Sequence, residues 1–184
     1  MTDLLDLQKK FILSHLKDGD ICADFTMGNG GDTAFLSKTV GPSGKVYAFD
    51  IQPLALENTK AHLESENCPN NYELILDSHH NAKNYIKEKI KAGMFNLGYM
   101  PRSGNKALTT KRETTLPAIK DALAMLDSDG ILLVAVYPGH EEGALEGIEI
   151  EKYFETIDRH EMSISKFKII NSPTSPFFFV AEKK

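Results

Sequence analysis

The chain has 184 residues, 41% hydrophobic and 26% charged, the size and mixture of one compact domain and too small for a multidomain assembly. Its 21 Lys and Arg against 26 Asp and Glu give a formal net charge of −5, which taken whole argues against a polyanion-binding protein. The average conceals a segregation: residues 80–112 hold eight basic side chains (Lys83, Lys87, Lys89, Lys91, Arg102, Lys106, Lys111 and Arg112) and one acid, Glu88, a net of +7 that leaves the rest at −12. One segment therefore carries most of the attraction for phosphate.

The first ten residues mix acids, bases and leucines, and no run approaches the 18 or so apolar residues of a membrane span. The expected location is cytoplasmic. Leu4, Leu7, Phe11, Ile12 and Leu16 recur at helical spacing and predict an opening amphipathic helix ending near Gly19. A strand is expected at 20–25, a turn at 28–31, and a helix capped by Asp32 or Thr33 and running through Val40. Strand two is 45–50, a helix from Pro53 runs to about Glu66, and strand three is 72–76. A basic helix at 80–91, a short strand at 93–97 and a loop at 98–109 lead to a capping box, Thr110 to Glu113, that starts the next helix. The Asp129-Gly130 turn precedes 131–137, an almost wholly apolar run expected of a central strand. An acidic helix at 142–160, a strand at 164–170, a turn at 171–176 and a strand at 177–181 complete the chain. The last connection is too short for a crossover helix, so that pair is expected to be antiparallel.

This alternation predicts an α/β fold: a seven-stranded Rossmann-like sheet, mostly parallel with a C-terminal antiparallel hairpin, helices on both faces, and one domain over 1–184. The cysteines, Cys22 and Cys68, have no metal-ligand spacing, so neither a disulfide framework nor a metal site is expected.

In such sheets ligands lie beyond the carboxyl ends of the strands. The first strand ends in Asp24-Phe25-Thr26-Met27-Gly28-Asn29-Gly30-Gly31-Asp32-Thr33, whose glycines let backbone approach a ligand and whose Asp32 can accept from an ammonium. A dinucleotide fingerprint would require glycine where Thr33 stands, and acids repel a pyrophosphate. Asp50, 22 residues beyond Gly28, suits the hydroxyls of a ribose, and Ile51, followed by Gln52, can lie against an adenine. Asp77 or Ser78, before His79, can take the adenine amino group. Adenosine joined to an amino-acid-like cation describes S-adenosylmethionine.

The order Asp-x-Thr-x-Gly-Asn-Gly-x-Asp-Thr at 24–33, Phe-Asp-Ile-Gln at 49–52, Asp-Ser-His at 77–79, Phe-Asn-Leu-Gly-Tyr at 95–99 and Tyr-x-Gly-His-x-x-Gly at 137–143 resembles the class I methyltransferases. Within them it is most similar to the family labelled putative rRNA methylases. Phe25, where a small residue is expected, and Met100-Pro101-Arg102, in place of a glycine-rich stretch, depart from that pattern. The resemblance implies a methyltransferase fold with S-adenosylmethionine held by Thr26, Gly28, Asn29, Gly30, Asp32, Thr33, Asp50, Ile51, Gln52, Asp77, Ser78, His79 and Asn96.

It also implies RNA as substrate. The aminomethyl group of the (2-thio)uridine at the tRNA wobble position leads, with an rRNA base or a small-molecule amine as alternatives, and a nucleotide-binding module without turnover as a reading of another class. Asn96-Leu97-Gly98-Tyr99 resembles the Asn-Pro-Pro-Tyr arrangement of amino-methyltransferases, which makes Asn96 the candidate that orients the amine. Tyr99 and Tyr137 can line the pocket, and the proton can pass to water or to one of the histidines nearest strand ends, His79, His80 and His140, so that Asn96, Tyr99 and His140 are the catalytic candidates. Arg102, Lys106, Lys111 and Arg112 follow that motif and are the RNA-binding candidates; Lys83, Lys87, Lys89 and Lys91 read equally as the solvated face of a surface helix. The oligomeric state is left open, a homodimer included.

Overall fold

The computed structural model describes residues 4–98, 112–139 and 141–184. Its elements in order are α1 (Leu4–His15), β1 (Ile21–Asp24), α2 (Gly31–Val40), β2 (Lys45–Asp50), α3 (Pro53–Ser65), β3 (Tyr72–Leu76), a 3-10 segment (His79–Asn84), β4 (Ile90–Leu97), α4 (Arg112–Met125), β5 (Leu126–Val136), α5 (Glu141–Phe154), β6 (Met162–Phe167) and β7 (Phe177–Lys183). The strands form one seven-stranded sheet in the order β3-β2-β1-β4-β5-β7-β6. The first five pair in parallel, and β7 runs antiparallel to both β5 and β6.

Period-two alternation builds a core on each face. Along β5, Leu132, Val134 and Val136 enter one core with Ile119 and Leu123 of α4 and Ile150 and Phe154 of α5. Ile131, Leu133 and Ala135 enter the other with Ile12 of α1, Leu16 just after it, and Leu36 and Val40 of α2. Because β5 is covered on both sides, it reads as a continuous apolar run. Chain order reverses between β1 and β4, which opens a crevice at their carboxyl ends.

Four expectations are corrected. The helix expected at 80–91 is a short 3-10 segment at His79–Asn84, and β4 begins at Ile90 where a shorter strand from 93 was expected. Ala82, Ile86 and Ile90 imitate a helical stripe, but Ile90 is a strand residue paired with Leu126, and Lys89 and Lys91 alternate around it in the period of a strand. Neither Asp32 nor Thr33 caps α2: Gly30 is the cap, in the left-handed region at φ 85°, with no side-chain capping bond. The turn expected at Asp129-Gly130 lies inside β5 as an irregularity, where the partner of β4 jumps from Leu126 to Ile131 and Asp129 takes φ 53°. Finally, α5 stops at Phe154, well short of 160, and the hairpin pairs Met162 with Lys183 and Phe167 with Phe178, which moves β6 toward the N-terminus of its expected range and lengthens β7. No helix among the described residues is long and apolar enough to cross a membrane.

Candidate active site

The loop leaving β1 stays paired on both sides before it turns. Phe25 N donates to Met94 O and Met27 N to Phe49 O, each at 2.9 Å. Gly28 N donates to Asp50 Oδ2 at 3.1 Å, Thr59 Oγ1 donates to Gly28 O at 3.2 Å, and Asn58 Nδ2 donates to Asn29 Oδ1 at 3.0 Å. A Cβ on Gly30 would stand 2.9 Å from Thr59 Cα, so α3 presses on the loop as closely as glycine allows.

Three carboxyls gather beneath this loop. Asp24 is fully buried and accepts from Thr26 N at 3.1 Å and Thr33 Oγ1 at 2.7 Å. Burial, with the charge of Asp32 added, pushes its pKa upward. Burial raises Asp32 as well, opposed by Lys9 of α1 and by the hydrogen bond from Asn96. Asp50, accepting from Gln52 N at 3.0 Å, is raised by burial and held back by the N–H groups of Gln52, Gly28 and Ile51. Partly buried acids of one sign favour a cation among them. The role of Asp24 and the approach of Lys9 were not foreseen. A charged residue closing an apolar strand was the available signal for Asp24; Lys9 is one of several lysines on its helix and carried none.

Asn96 closes the crevice from β4. Its backbone N donates to Thr26 Oγ1 at 2.7 Å and its Nδ2 to Asp32 Oδ2 at 2.5 Å, while its Oδ1 is buried with no hydrogen-bond partner among the described residues. Of the sequence candidates, Thr26, Asp32, Thr33 and Asn96 are linked by hydrogen bonds around Asp24, Gly28 is bonded to Asp50, and Asn29 and Gly30 lie in the same loop. Ile51 stands beside Asp50 with 55% of its surface exposed.

At the end of β3, Asp77 accepts from Ser78 N at 2.7 Å, Asn81 Nδ2 at 2.9 Å and Tyr85 OH at 2.8 Å, and the Asn81 and Tyr85 bonds hold its carboxyl below the usual range. Ser78 Oγ accepts from His80 N at 3.2 Å. Both therefore shape the local turn. His79 Nδ1 lies 3.3 Å from Phe25 O; a carbonyl only accepts, so Nδ1 carries the proton and Nε2 is the bare nitrogen. Burial pushes this imidazole down to about 4. Tyr99, His140, Arg102, Lys106 and Lys111 lie outside the described residues, as does the side chain of Arg112.

The lysines at 83–91 each have a partner on the chain itself. Lys83 pairs with Asp121 at 3.1 Å, Lys87 Nζ donates to Lys83 O at 3.0 Å, and Lys89 and Lys91 donate to Ala124 O and Ser128 O at 2.8 Å each. Lys89 and Lys91 flank the amino end of β4. At about 3.3 Å per residue, Lys91 is on the order of 16 Å from Asn96 along the strand.

The model of the family described as Putative rRNA methylase matches residues 46–183. The chain belongs to this family. Among relatives of the methylase, the chloroplastic tRNA (mnm(5)s(2)U34)-methyltransferase of Arabidopsis thaliana is 33% identical over 174 residues, which is 88% of this chain and 62% of that protein. The chain thus spans somewhat under two thirds of that relative's length. The crystal structure of a putative rRNA-methylase from Clostridium thermocellum superposes with a TM-score of 0.96 at 36% identity, covering 100% of this chain and 99% of that one. A putative methyltransferase from Streptococcus mutans, solved in complex with SAH, gives 0.90 at 35% identity, again with 100% and 99% covered. The methylase accordingly has the mostly parallel Rossmann-like sheet of S-adenosylmethionine-dependent methyltransferases.

The residues present fit that cofactor. Among the described residues the three acids, with the charge of Lys9 acting on Asp32, suit its two positive groups, exposed Ile51 beside Asp50 suits an adenosine, and Asn96 Oδ1 is buried without a hydrogen-bond partner. Among the described residues no three His, Cys, Asp or Glu side chains gather as a metal site.

Proposed function

We propose that this methyltransferase N-methylates the 5-aminomethyl group of the (2-thio)uridine at the wobble position of tRNA, in the cytoplasm. The observation that carries the reading is the Asn96 amide. Its donor end is occupied by Asp32 and its acceptor end is buried and without a partner among the described residues, which suits a substrate bearing N–H. The relative named as a tRNA wobble-uridine methyltransferase supports this choice among nitrogens, and the unpaired Cys22 and Cys68 suit a reducing compartment.

In this reading Thr26, Gly28, Asn29, Gly30, Asp32 and Thr33 seat the amino-acid part of the cofactor. Asp50 and Gln52 take the ribose, and Ile51, Asp77, Ser78 and His79 border the adenine. When bound, S-adenosylmethionine supplies a methyl on a positively charged sulfur with an activated leaving group. Asn96 accepts a hydrogen bond from the substrate nitrogen and turns its lone pair toward the crevice. Such positioning contributes on the order of 7–11 kcal/mol. The proton of the substrate ammonium leaves to His140 or to water, Tyr99 borders the acceptor, and Arg102, Lys106, Lys111 and Arg112 hold the phosphates near the anticodon.

The test incubates the enzyme and methyl donor with total RNA from cells lacking the enzyme, followed by nucleoside mass spectrometry. Conversion of aminomethyl- to methylaminomethyl-uridine in tRNA is expected. An unchanged tRNA profile with methyl appearing in rRNA, the substrate in the family's description, would replace the reading. Asn96→Ala is expected to lower turnover about 10²–10³-fold while cofactor affinity stays within about threefold.

A further inference from the structure

A primary amide is a planar group with a donor at one end and an acceptor at the other, so fixing one end fixes the other. Asn96 has its Nδ2 on Asp32 Oδ2 at 2.5 Å. Rotated by half a turn, the amide would set Oδ1 against a carboxylate oxygen, two acceptors in contact without a proton between them. The backbone from which the amide extends is held as well, since Asn96 N donates to Thr26 Oγ1 and the strand pairs Asn96 with Ala135. Asp32 is itself anchored in the first turn of α2. Its buried neighbour Asp24 is already engaged by Thr26 N and Thr33 Oγ1, which leaves Asp32 as the carboxylate that meets the amide.

We propose that Asp32 is a positioning residue for methyl transfer: it holds the Asn96 amide in the one orientation that presents Oδ1 to the substrate N–H. This rests on the reading of Asn96 given above and extends it to a residue that need not touch the acceptor. A carboxylate accepts only, so it enforces the orientation. An amide at position 32 pairs with either end of Asn96 and enforces nothing.

The experiment compares wild type, Asp32→Asn, Asn96→Ala and the double variant on aminomethyl-uridine tRNA at saturating methyl donor. Asp32→Asn is expected to lower kcat about tenfold or more with the KM for tRNA within about threefold, and the double variant is expected to be no slower than Asn96→Ala alone. A second readout is independent of turnover: the side-chain amide resonances of Asn96, identified by their loss in Asn96→Ala. They should carry a downfield proton in wild type and move upfield in Asp32→Asn. Losses that multiply in the double variant, or amide resonances that do not move, would overturn the positioning role. An active wild type with multiplying losses sinks that role alone. A wild type that methylates no aminomethyl-uridine sinks the reading of Asn96, and the positioning role with it.

Discussion

Gly30 and Gly31 are neighbours that the structure treats oppositely, which makes them a controlled pair. Gly30 sits at φ +85°, and a Cβ there would lie 2.9 Å from Thr59 Cα and 3.1 Å from Thr59 Cγ2 and Oγ1. The left-handed conformation costs a non-glycine residue roughly 1–2 kcal/mol, and overpacking against a helix backbone adds roughly 1–3 kcal/mol. Gly30→Ala is therefore expected to destabilise the protein by about 2–5 kcal/mol. For a domain of this size that lowers Tm by roughly 4–20 °C, at about 2–4 °C per kcal/mol. Gly31 opens α2, and a Cβ there meets nothing within 4 Å, so Gly31→Ala is expected to stay within about 0.5 kcal/mol of wild type. Chemical denaturation monitored by circular dichroism measures both. Equal stabilities for the two variants would refute the account of the loop as one clamped by α3.

Asp24→Asn tests the buried carboxyl. Its pKa is raised on folding, so the native state binds the proton more tightly than the unfolded chain, and its contribution to stability is full in acid and is lost as pH rises above the ordinary carboxylate value. The variant should gain stability relative to wild type as pH rises from about 4 toward neutrality; parallel pH–stability curves would contradict this. Gly93→Ala places a Cβ 2.7 Å from Leu132 Cδ1 and 3.0 Å from Phe25 Cε2 and should cost about 1–3 kcal/mol, read from urea unfolding midpoints. Reversing Arg102 and Lys106 to Glu should weaken tRNA binding and flatten its salt dependence, whereas Lys89→Glu with Lys91→Glu should leave both nearly unchanged. Filter-binding titrations across salt decide it, and equal losses from the two pairs would place Lys89 and Lys91 on the RNA surface.

The strands were legible where burial on both faces writes a continuous apolar run, as in residues 131–136, or where turn residues bound a short one, as in Lys45–Asp50. The motif at 24–33 was legible because glycine and acid side by side at a strand end are hard to justify by packing. The 80–91 region was not, since Ala82, Ile86 and Ile90 satisfy helical spacing locally and pairing with β5 overrules it. Nor was Gly30 as the cap of α2: Thr33 looks like a capping residue, but its hydroxyl is turned inward to Asp24.

Residue order alone determined the class of sheet, the antiparallel end, the loop that carries the acids and the identity of Asn96, because periodicity, glycine and charge are local properties of a chain. It also determined that positive charge is concentrated in one window. The tertiary structure gave Lys83, Lys89 and Lys91 of that window partners on the chain itself, an acid and two carbonyl oxygens. The pairing of Asn96 with Asp32, 64 residues apart, was likewise set only when β1 and β4 became neighbours. A hydrogen bond between distant positions has no local signature, and this one fixes the donor end of the asparagine and leaves its Oδ1 without a hydrogen-bond partner among the described residues.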